Sequence, residues 1–316
     1  MPESPIIIAT RGSALALAQA NFIFDQCRAT FPRLAFEIQI FKTTGDKLQT
    51  ASLAQAGQSL PKGLFTKELE VALVRQKADI AVHSLKDLPT ELPAGLTLGA
   101  ATKREDVRDV LIYKTDAGHA GPIPQLAAGA RVATSSTRRQ AQLAAARPDL
   151  QLEEIRGNVP TRLEKLAEND ELAGTILAAA GLNRLHFSIN ADGRLEGDAV
   201  PDGIRAVALD AELMLPCVGQ AAIGLEIRED DGRIAKITER LNHFNTFAAV
   251  TAERAFLRGM GGGCQSPVGA HAVIEGTTIR MQAVSFLNDT VQRTEQSGAL
   301  REPEAFGQAV AEAMRA

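Results

Sequence analysis

The chain has 316 residues, of which 45% are hydrophobic and only 4% aromatic, and its formal net charge is −4 at pH 7. It therefore lacks the overall positive field that holds a nucleic-acid duplex and the rings that stack single-stranded bases. Three widely spaced cysteines and five histidines show no metal-ligand or disulfide spacing. No signal-like segment opens the chain and no apolar run of about 18 residues occurs. We expect a cytoplasmic protein with no membrane or nucleic-acid partner and no metal.

The first predicted elements form an α/β unit. Ile6 to Ala9 is typical of a buried strand, and Ser13 can cap the Ala/Leu-rich helix that follows. Arg11 and Ser13 thus flank a helix start, where backbone N–H groups favour anions; a capped helix without a ligand fits equally well. A second strand is predicted at 36–41, and the polar segment 42–62 is predicted to be a lid beside a site.

The stretch from Ile80 to Pro89 is predicted to place polar side chains at the carboxyl end of a buried strand. Pro89 prevents the strand from continuing, and ligands of open α/β sheets bind at that end. Asp87, next to Lys86, is therefore a candidate for proton handling or for stabilising a cation. A solvated surface ion pair is the other interpretation of the same two residues.

A second unit of the same kind is predicted after residue 103. The segments that begin at Ile8 and at Val132 are built alike: each has a strand, an Ala-Thr pair, a small polar turn with arginine, and a helix. This similarity predicts two related halves whose helix starts face one cleft. Arginines cluster at the predicted strand ends and helix starts of the second half. They are Arg138, Arg139, Arg156, Arg162 and Arg184.

This clustering predicts a ligand that carries several carboxylates or phosphates, because each charge-assisted hydrogen bond contributes about 1.5–3 kcal/mol. Surface arginines with no ligand would instead be scattered over helix flanks. The net charge of the whole chain is negative, so the anion affinity must come from local placement of these side chains.

The last part of the chain predicts a smaller α+β unit. An amphipathic helix at 244–257 precedes a glycine-rich loop with Cys264, and three strands (268–274, 278–286, 290–297) and a final helix from about 303 follow. The polar segment 186–201 is predicted to be exposed. The expected domains are 1–103 with 205–226, then 104–204, then 227–316.

Cys264 has two interpretations. A thiol on a glycine-rich loop is accessible, and nearby arginines would lower its pKa and make it nucleophilic. A small structural side chain is the alternative, and it describes Cys27 inside the first helix. The glycines of this loop do not have the order of a dinucleotide-binding turn.

Six motifs together resemble the porphobilinogen deaminase family, also called hydroxymethylbilane synthases of tetrapyrrole and heme biosynthesis. The resemblance runs from residue 6 to about 270, and the layout of the remainder agrees. The motifs are Ala9-Thr-Arg-Gly-Ser13, Lys62-Gly-Leu-Phe-Thr-Lys-Glu68, His83-Ser-Leu-Lys-Asp-Leu-Pro89, Thr134-Ser-Ser-Thr-Arg-Arg-Gln140, Arg156-Gly-Asn-Val-Pro-Thr-Arg162 and Gly262-Gly-Cys-Gln265.

The resemblance implies two periplasmic-binding-protein-like α/β domains and a third α+β domain with a three-stranded antiparallel sheet. It implies a dipyrromethane cofactor attached by a thioether to Cys264. Four porphobilinogen molecules are then joined head to tail as a transferase reaction, each losing ammonia, and hydrolysis frees the linear hydroxymethylbilane. A monomer that passes its product to the next tetrapyrrole enzyme is expected.

The resemblance also implies roles for single residues. Asp87 would stabilise the cationic pyrrole species and move protons. The cofactor would be held by Lys86, Ser136, Arg138, Arg139 and Arg162. The substrate or the growing chain would be held by Arg11, Ser13, Gln19, Phe65, Arg156 and Arg184.

Two residues depart from the family pattern, Cys217 and Ala221, and leave the crossing points between domains open. A non-catalytic, two-lobed sensor of a polycarboxylate is the alternative function, since it would explain the arginines and the similar halves but needs no Cys264. A phosphate-transfer enzyme is disfavoured because the phosphate-binding loop motif is missing.

Overall fold

The computed structural model describes residues 4–43, 65–114, 123–263 and 265–315. Most of the predicted lid at 42–62 and Cys264 itself lie outside these residues. The strands, in chain order, are β1 (Ile6–Thr10), β2 (Phe36–Ile40), β3 (Ile80–Ser84), β4 (Leu96–Ala101), β5 (Asp109–Lys114), β6 (Arg131–Ala133), β7 (Gln151–Glu153), β8 (Leu172–Ala178), β9 (Ser188–Ile189), β10 (Leu195–Glu196), β11 (Ile204–Ala208), β12 (Ile223–Arg228), β13 (Val268–Glu275), β14 (Thr278–Ser285) and β15 (Gln292–Ala299).

The helices alternate with the strands in the first two thirds of the chain. They are α1 (Ala14–Thr30), α2 (Lys67–Val74), α3 (Thr137–Ala146), α4 (Val159–Glu168), α5 (Ala179–Arg184), α6 (Gly232–Leu241), α7 (Phe244–Gly259) and α8 (Pro303–Arg315). Side-chain caps start several of them: Ser13 accepts from the N–H of Ala16, and Asn158 accepts from the N–H of Thr161.

Two five-stranded sheets have the same topology. The first has the order β2-β1-β3-β12-β4, and the second, read from its other edge, has the order β7-β6-β8-β5-β11. In each, the first three strands are parallel, the fourth runs antiparallel to them, and the fifth pairs antiparallel with the fourth. The strand pairs β1/β6 and β3/β8 are thus equivalent, and the predicted relationship between the two halves is confirmed.

The third unit is an antiparallel sheet, β13-β14-β15, with α7 and α8 packed against it. Its core contains Phe256 from α7, Met281 from the sheet and Val310 from α8. The expected fold class, two α/β units and a smaller α+β unit with a three-stranded antiparallel sheet, is confirmed.

For two segments, the expected domain was wrong. β11, expected in the first domain, pairs with β5 in the second sheet because Ile204 and Ala206 enter the second core. α6, expected in the third domain, packs Ile234 and Ile237 into the first core. The return of the chain to the first sheet therefore follows residue 208. The remaining boundaries stay predictions.

The segment 186–201, predicted to be exposed, is anchored. Phe187 and Leu195 are buried in the second core, and a short β9-β10 hairpin joins them. Within the described ranges, no helix has the length and apolar character that crossing a membrane requires.

Candidate active site

One pocket of about 370 Å³ lies where the three units meet, and we call it the cleft pocket. The first unit contributes the end of β3, the second contributes the starts of α3 and α4, and the third contributes the residues on both sides of position 264. Seven predicted site residues line it: Lys86, Asp87, Ser136, Arg138, Arg139, Arg156 and Arg162. Four arginines of the predicted cluster thus share one pocket with Asp87, and Arg184 does not line it.

Asp87 lies on a short 3-10 turn, Leu85–Asp87, directly after β3. Leu85 and Leu88 are buried on either side of the turn, so Asp87 is exposed to the cleft while its backbone is anchored in the core. Arg254 of α7 donates to the carbonyl oxygens of Leu88 (3.1 Å) and Pro89 (2.6 Å). The helix that leads to the Cys264 loop therefore also holds the turn that carries Asp87.

Arg138 and Arg139 are fixed by a carboxylate that the sequence did not single out. Asp109, the first residue of β5, accepts from Nη2 of Arg138 and from Nη2 of Arg139, both at 2.7 Å. The two Nη1 atoms donate to the carbonyl oxygens of Leu215 (2.6 Å) and Ile176 (2.8 Å). All three charged side chains are buried, so the guanidinium pair is a rigid wall of the cleft pocket.

The charge of Asp109 is maintained by its partners. Burial by itself would raise the Asp109 pKa, but the two guanidinium groups outweigh burial and hold the pKa well below its usual range. The Nε atoms of Arg138 and Arg139 are buried and have no partner among the described residues. Two positive groups share one negative charge, which leaves the wall with net positive charge.

Arg162, on the first turn of α4, lies in an environment that disfavours its charge, unlike that of Asp109. Burial, followed by repulsion from Arg139 and Arg156, lowers the pKa of Arg162 to about 10, while Asp87 acts weakly in the other direction. Its Nε donates to the carbonyl oxygen of Gly157 (2.8 Å). Within the described ranges no carboxylate lies at ion-pair distance from it, so this side chain is suited to an external anion.

The residues beside position 264 are tied to the start of α3. Ser136 caps α3 by accepting from the N–H of Arg139, and the hydroxyl of Thr137 donates to the carbonyl oxygen of Gln265 (2.6 Å). The N–H of Gly263 donates to the hydroxyl of Ser266 (2.9 Å). Although Cys264 lies outside the described residues, both of its neighbours line the cleft pocket.

Five predicted site residues do not line the cleft pocket: Arg11, Ser13, Gln19, Phe65 and Arg184. The guanidinium of Arg11 lies 4.3 Å from the ring centre of Phe65, and Ser13 caps α1. Gln19 donates to the hydroxyl of Ser84 at the end of β3 (2.8 Å). Arg184 donates to the carbonyl oxygen of Ala221 (2.6 Å). Burial lowers the pKa of Arg184, against a smaller opposite effect of Glu105.

Sequence reasoning missed Asp109, Arg254 and Glu154. A charged residue at the start of the apolar run Asp109-Val-Leu-Ile-Tyr113 was a signal that a buried carboxylate needs a cationic partner. No comparable signal existed for Arg254, whose two acceptors lie more than 160 positions away in the chain.

Comparison with known proteins agrees with this geometry. Residues 6–236 match the family model "Porphobilinogen deaminase, dipyromethane cofactor binding domain", and residues 247–316 match "Porphobilinogen deaminase, C-terminal domain". The porphobilinogen deaminase of Moorella thermoacetica is 45% identical over 308 residues, which cover 97% of this chain and 91% of that protein. The porphobilinogen deaminase of Trichlorobacter lovleyi is 46% identical over 281 residues, which cover 89% of this chain and 83% of that protein.

Solved structures give a more distant likeness. The VFT2 domain of BvgS from Bordetella pertussis aligns with a TM-score of 0.44 at 14% identity, over 76% of this chain and 86% of that one. The probable amino-acid transporter binding protein ytmK from Bacillus subtilis aligns with a TM-score of 0.43 at 10% identity, over 76% of this chain and 91% of that one. By its two family-model matches and its nearly full-length relatives, the chain belongs to the porphobilinogen deaminase family.

Proposed function

We propose that the chain joins four porphobilinogen molecules head to tail into hydroxymethylbilane, releasing ammonia, on a dipyrromethane attached to Cys264. The observation that carries this proposal is the cleft pocket, where four arginines, one lysine and the accessible carboxylate of Asp87 converge beside position 264. This is the arrangement that a polycarboxylate with reactive, electron-rich rings requires.

The residues of the cleft pocket fit a dipyrromethane. Each pyrrole carries an acetate and a propionate, so two linked units bring four carboxylates. Burial and repulsion from neighbouring arginines lower the pKa of Arg162, and a carboxylate of the cofactor would stabilise its charged form. Arg138 and Arg139 line the same pocket and share the single carboxylate of Asp109, so they leave net positive charge for the cofactor's carboxylates. In our proposal Lys86, Ser136 and these three arginines hold the cofactor, whose free pyrrole α-carbon supplies the nucleophile.

Asp87 is proposed to be the catalytic residue. Loss of ammonia from the substrate's aminomethyl group leaves a cationic, electron-poor pyrrole species, and a fixed carboxylate stabilises that charge without reorganising. The same carboxylate accepts and returns the protons that ammonia release and bond formation require. Its anchored turn and its cleft exposure suit both tasks.

The incoming substrate is proposed to contact a second group of residues, around the end of β3 and across from it. Arg156 is the member of this group that lines the cleft pocket. The others border the first unit's helix start or the turn at Ala221: Arg11, Ser13, Gln19, Phe65 and Arg184. The three arginines of this group, Arg11, Arg156 and Arg184, would bind the acetate and propionate of porphobilinogen before it reaches Asp87.

The wider setting follows from the same proposal. We infer a cytoplasmic monomer of three domains, with the two α/β units joined by the segments 102–108 and 209–222, which passes its linear product to the next tetrapyrrole enzyme. The product is reactive and polyanionic, so a short path to its consumer limits side reactions. Sedimentation of the purified chain tests the monomer, since a stable dimer would contradict it.

Intact-protein mass spectrometry tests the proposed function. The native chain should exceed its sequence mass by two linked pyrroles, and Cys264→Ser should abolish the excess together with turnover. Cys217→Ser is a matched control, because Cys217 lines the same pocket but is assigned no bond to the cofactor. This variant should retain the added mass. A native chain at its bare sequence mass that binds porphobilinogen without consuming it would favour the polycarboxylate sensor instead.

A further inference from the structure

We propose that Glu154 is an internal competitor of the substrate's carboxylates, and that it weakens substrate binding by occupying Arg156. Glu154 lines the cleft pocket, and its Oε2 accepts from Arg156 Nε at 3.3 Å and from Nη2 at 3.2 Å. This inference rests on the proposed assignment of Arg156 to the substrate. It adds a residue that sets the pocket's affinity for anions.

The backbone directs both side chains to the same face. Residues 154 and 156 are two positions apart directly after β7, and both side chains line the cleft pocket and contact each other there. Ile155 between them is buried, its N–H donates to Ser135 Oγ (3.1 Å), and the Ser135 hydroxyl donates to its carbonyl oxygen (2.8 Å). Because Ser135 belongs to the turn before α3, Glu154 and Arg156 are held at the mouth of the cleft pocket.

A ligand can displace the ion pair between Glu154 and Arg156 at a small cost in free energy. The Glu154 side chain is 66% exposed and that of Arg156 is 41% exposed, and exposed ion pairs contribute little. The pair between Asp109 and Arg138 is buried on both sides, with a distance of 2.7 Å, so breaking it would leave a buried charge. A substrate carboxylate therefore replaces Glu154 on Arg156 but does not replace Asp109 on Arg138.

Displacement leaves a negative charge at the pocket mouth. Among the residues that the structure describes, Glu154 and Asp87 are the carboxylates lining the cleft pocket. Asp87 is proposed to serve the reaction, whereas Glu154 only repels an arriving anion. The pocket therefore binds each carboxylate-bearing unit with only moderate affinity, and this lets a growing chain move through the pocket.

The test measures KM and kcat for porphobilinogen with Glu154→Gln, which keeps the shape and removes the charge. KM should fall about two- to fivefold, the range that exposed ion pairs give, with kcat changing much less. The fall in KM should shrink as ionic strength rises, because the effect is electrostatic and solvent-exposed.

Glu153→Gln is the matched control. Glu153 is the preceding residue and also pairs with an arginine, Arg131 (3.2 Å), but it does not line the cleft pocket. Its KM should equal that of the native chain. In an Arg156→Gln background, which itself should raise KM, Glu154→Gln should lose most of its effect, because the two residues act through one contact.

An unchanged or higher KM in Glu154→Gln would overturn the inference while leaving the proposed function intact. A fall in KM that persists in full in the Arg156→Gln background would also overturn it, since the competition is assigned to Arg156. Failure of the native chain to consume porphobilinogen would instead remove the proposed function, and the inference with it.

Discussion

Two helix starts of similar sequence are used differently in the two α/β units. At α1, Arg11 precedes the cap Ser13 and its guanidinium lies against Phe65 at the edge of the unit. At α3, Arg138 and Arg139 follow the cap Ser136 and are buried against Asp109. The topologically equivalent strands β1 and β6 precede the two helices, so the position of the arginine relative to the cap makes the difference.

Arg11, before its cap, stays in the turn and is partly exposed, whereas Arg138 and Arg139, on the first turn of their helix, are buried against the second sheet. The second unit therefore has a fixed positive wall, and Arg156, which precedes the cap Asn158 of α4, adds a partly exposed cation. A fixed wall suits a permanently attached cofactor, and accessible cations suit units that arrive and move on.

Removing the counter-charge of the fixed wall should have the largest effect on stability. Asp109→Asn leaves two buried guanidinium groups without a carboxylate, and it should lower the free energy of unfolding by about 3–5 kcal/mol. Chemical denaturation measures the loss. Asp149→Asn is the control, because Asp149 also accepts two arginine hydrogen bonds, but both come from Arg147 at the surface. The denaturation midpoint of this variant should move far less. Equal shifts in the two variants would contradict the fixed wall.

The same pair predicts a pH dependence. The pKa of Asp109 is lower in the folded chain than its unfolded value of about 3.9, so its stabilisation is present above that value and is lost as the pH falls through the folded pKa. The stability gap between the native chain and Asp109→Asn should stay constant from neutral pH to about pH 4 and shrink below it. A gap that already closes between pH 8 and pH 6 would point to another group.

Arg162 should show opposite effects with and without the cofactor. Its folded pKa of about 10 lies below the ordinary value, so at neutral pH the fold carries a charge that it disfavours. In a Cys264→Ser chain, Arg162→Gln should raise the free energy of unfolding by about 1 kcal/mol. In the native chain, the same change should lower it, since a carboxylate partner is lost. Stabilisation in both backgrounds would show that the cofactor does not contact Arg162.

The smallest effect concerns the segment that joins the fixed wall to the first sheet. Ala221 has a φ of +72°, a left-handed conformation that costs an alanine about 1 kcal/mol. Ala221→Gly should raise the free energy of unfolding by about 0.5–1 kcal/mol. Ala222→Gly, at the next position and outside that region of backbone space, should lower it instead. A loss in both variants would show that the methyl group's packing outweighs the strain.

The sequence predicted the parts of the fold that depend on local pattern. Strand β3 and its polar end were predicted from an apolar run that stops at Pro89, and the second unit from its likeness to the first. Sheet membership was less accessible. The chain from residue 205 was predicted to belong to the first domain, because no local pattern says which sheet receives the apolar side chains of β11.

Within the candidate site, the predicted residues of β3, α3 and α4 do meet in one pocket. The sequence did not indicate that Arg138 and Arg139 are already bound to Asp109, since that pairing joins residues about 30 positions apart across two strands and a helix. The role of Arg254 was hidden for the same reason. Long-range hydrogen bonds leave no periodic trace in a sequence.

The most direct measurement concerns Asp87 with its surroundings intact. Asp87→Asn keeps the turn and the size of the side chain but removes the charge. We expect the purified enzyme still to carry the mass of two linked pyrroles while its kcat falls by about a hundred- to a thousandfold, the loss seen when a fixed electrostatic stabiliser is removed. A variant that carries this added mass and turns over porphobilinogen at close to the native rate would show that the Asp87 carboxylate does not stabilise the cationic pyrrole species.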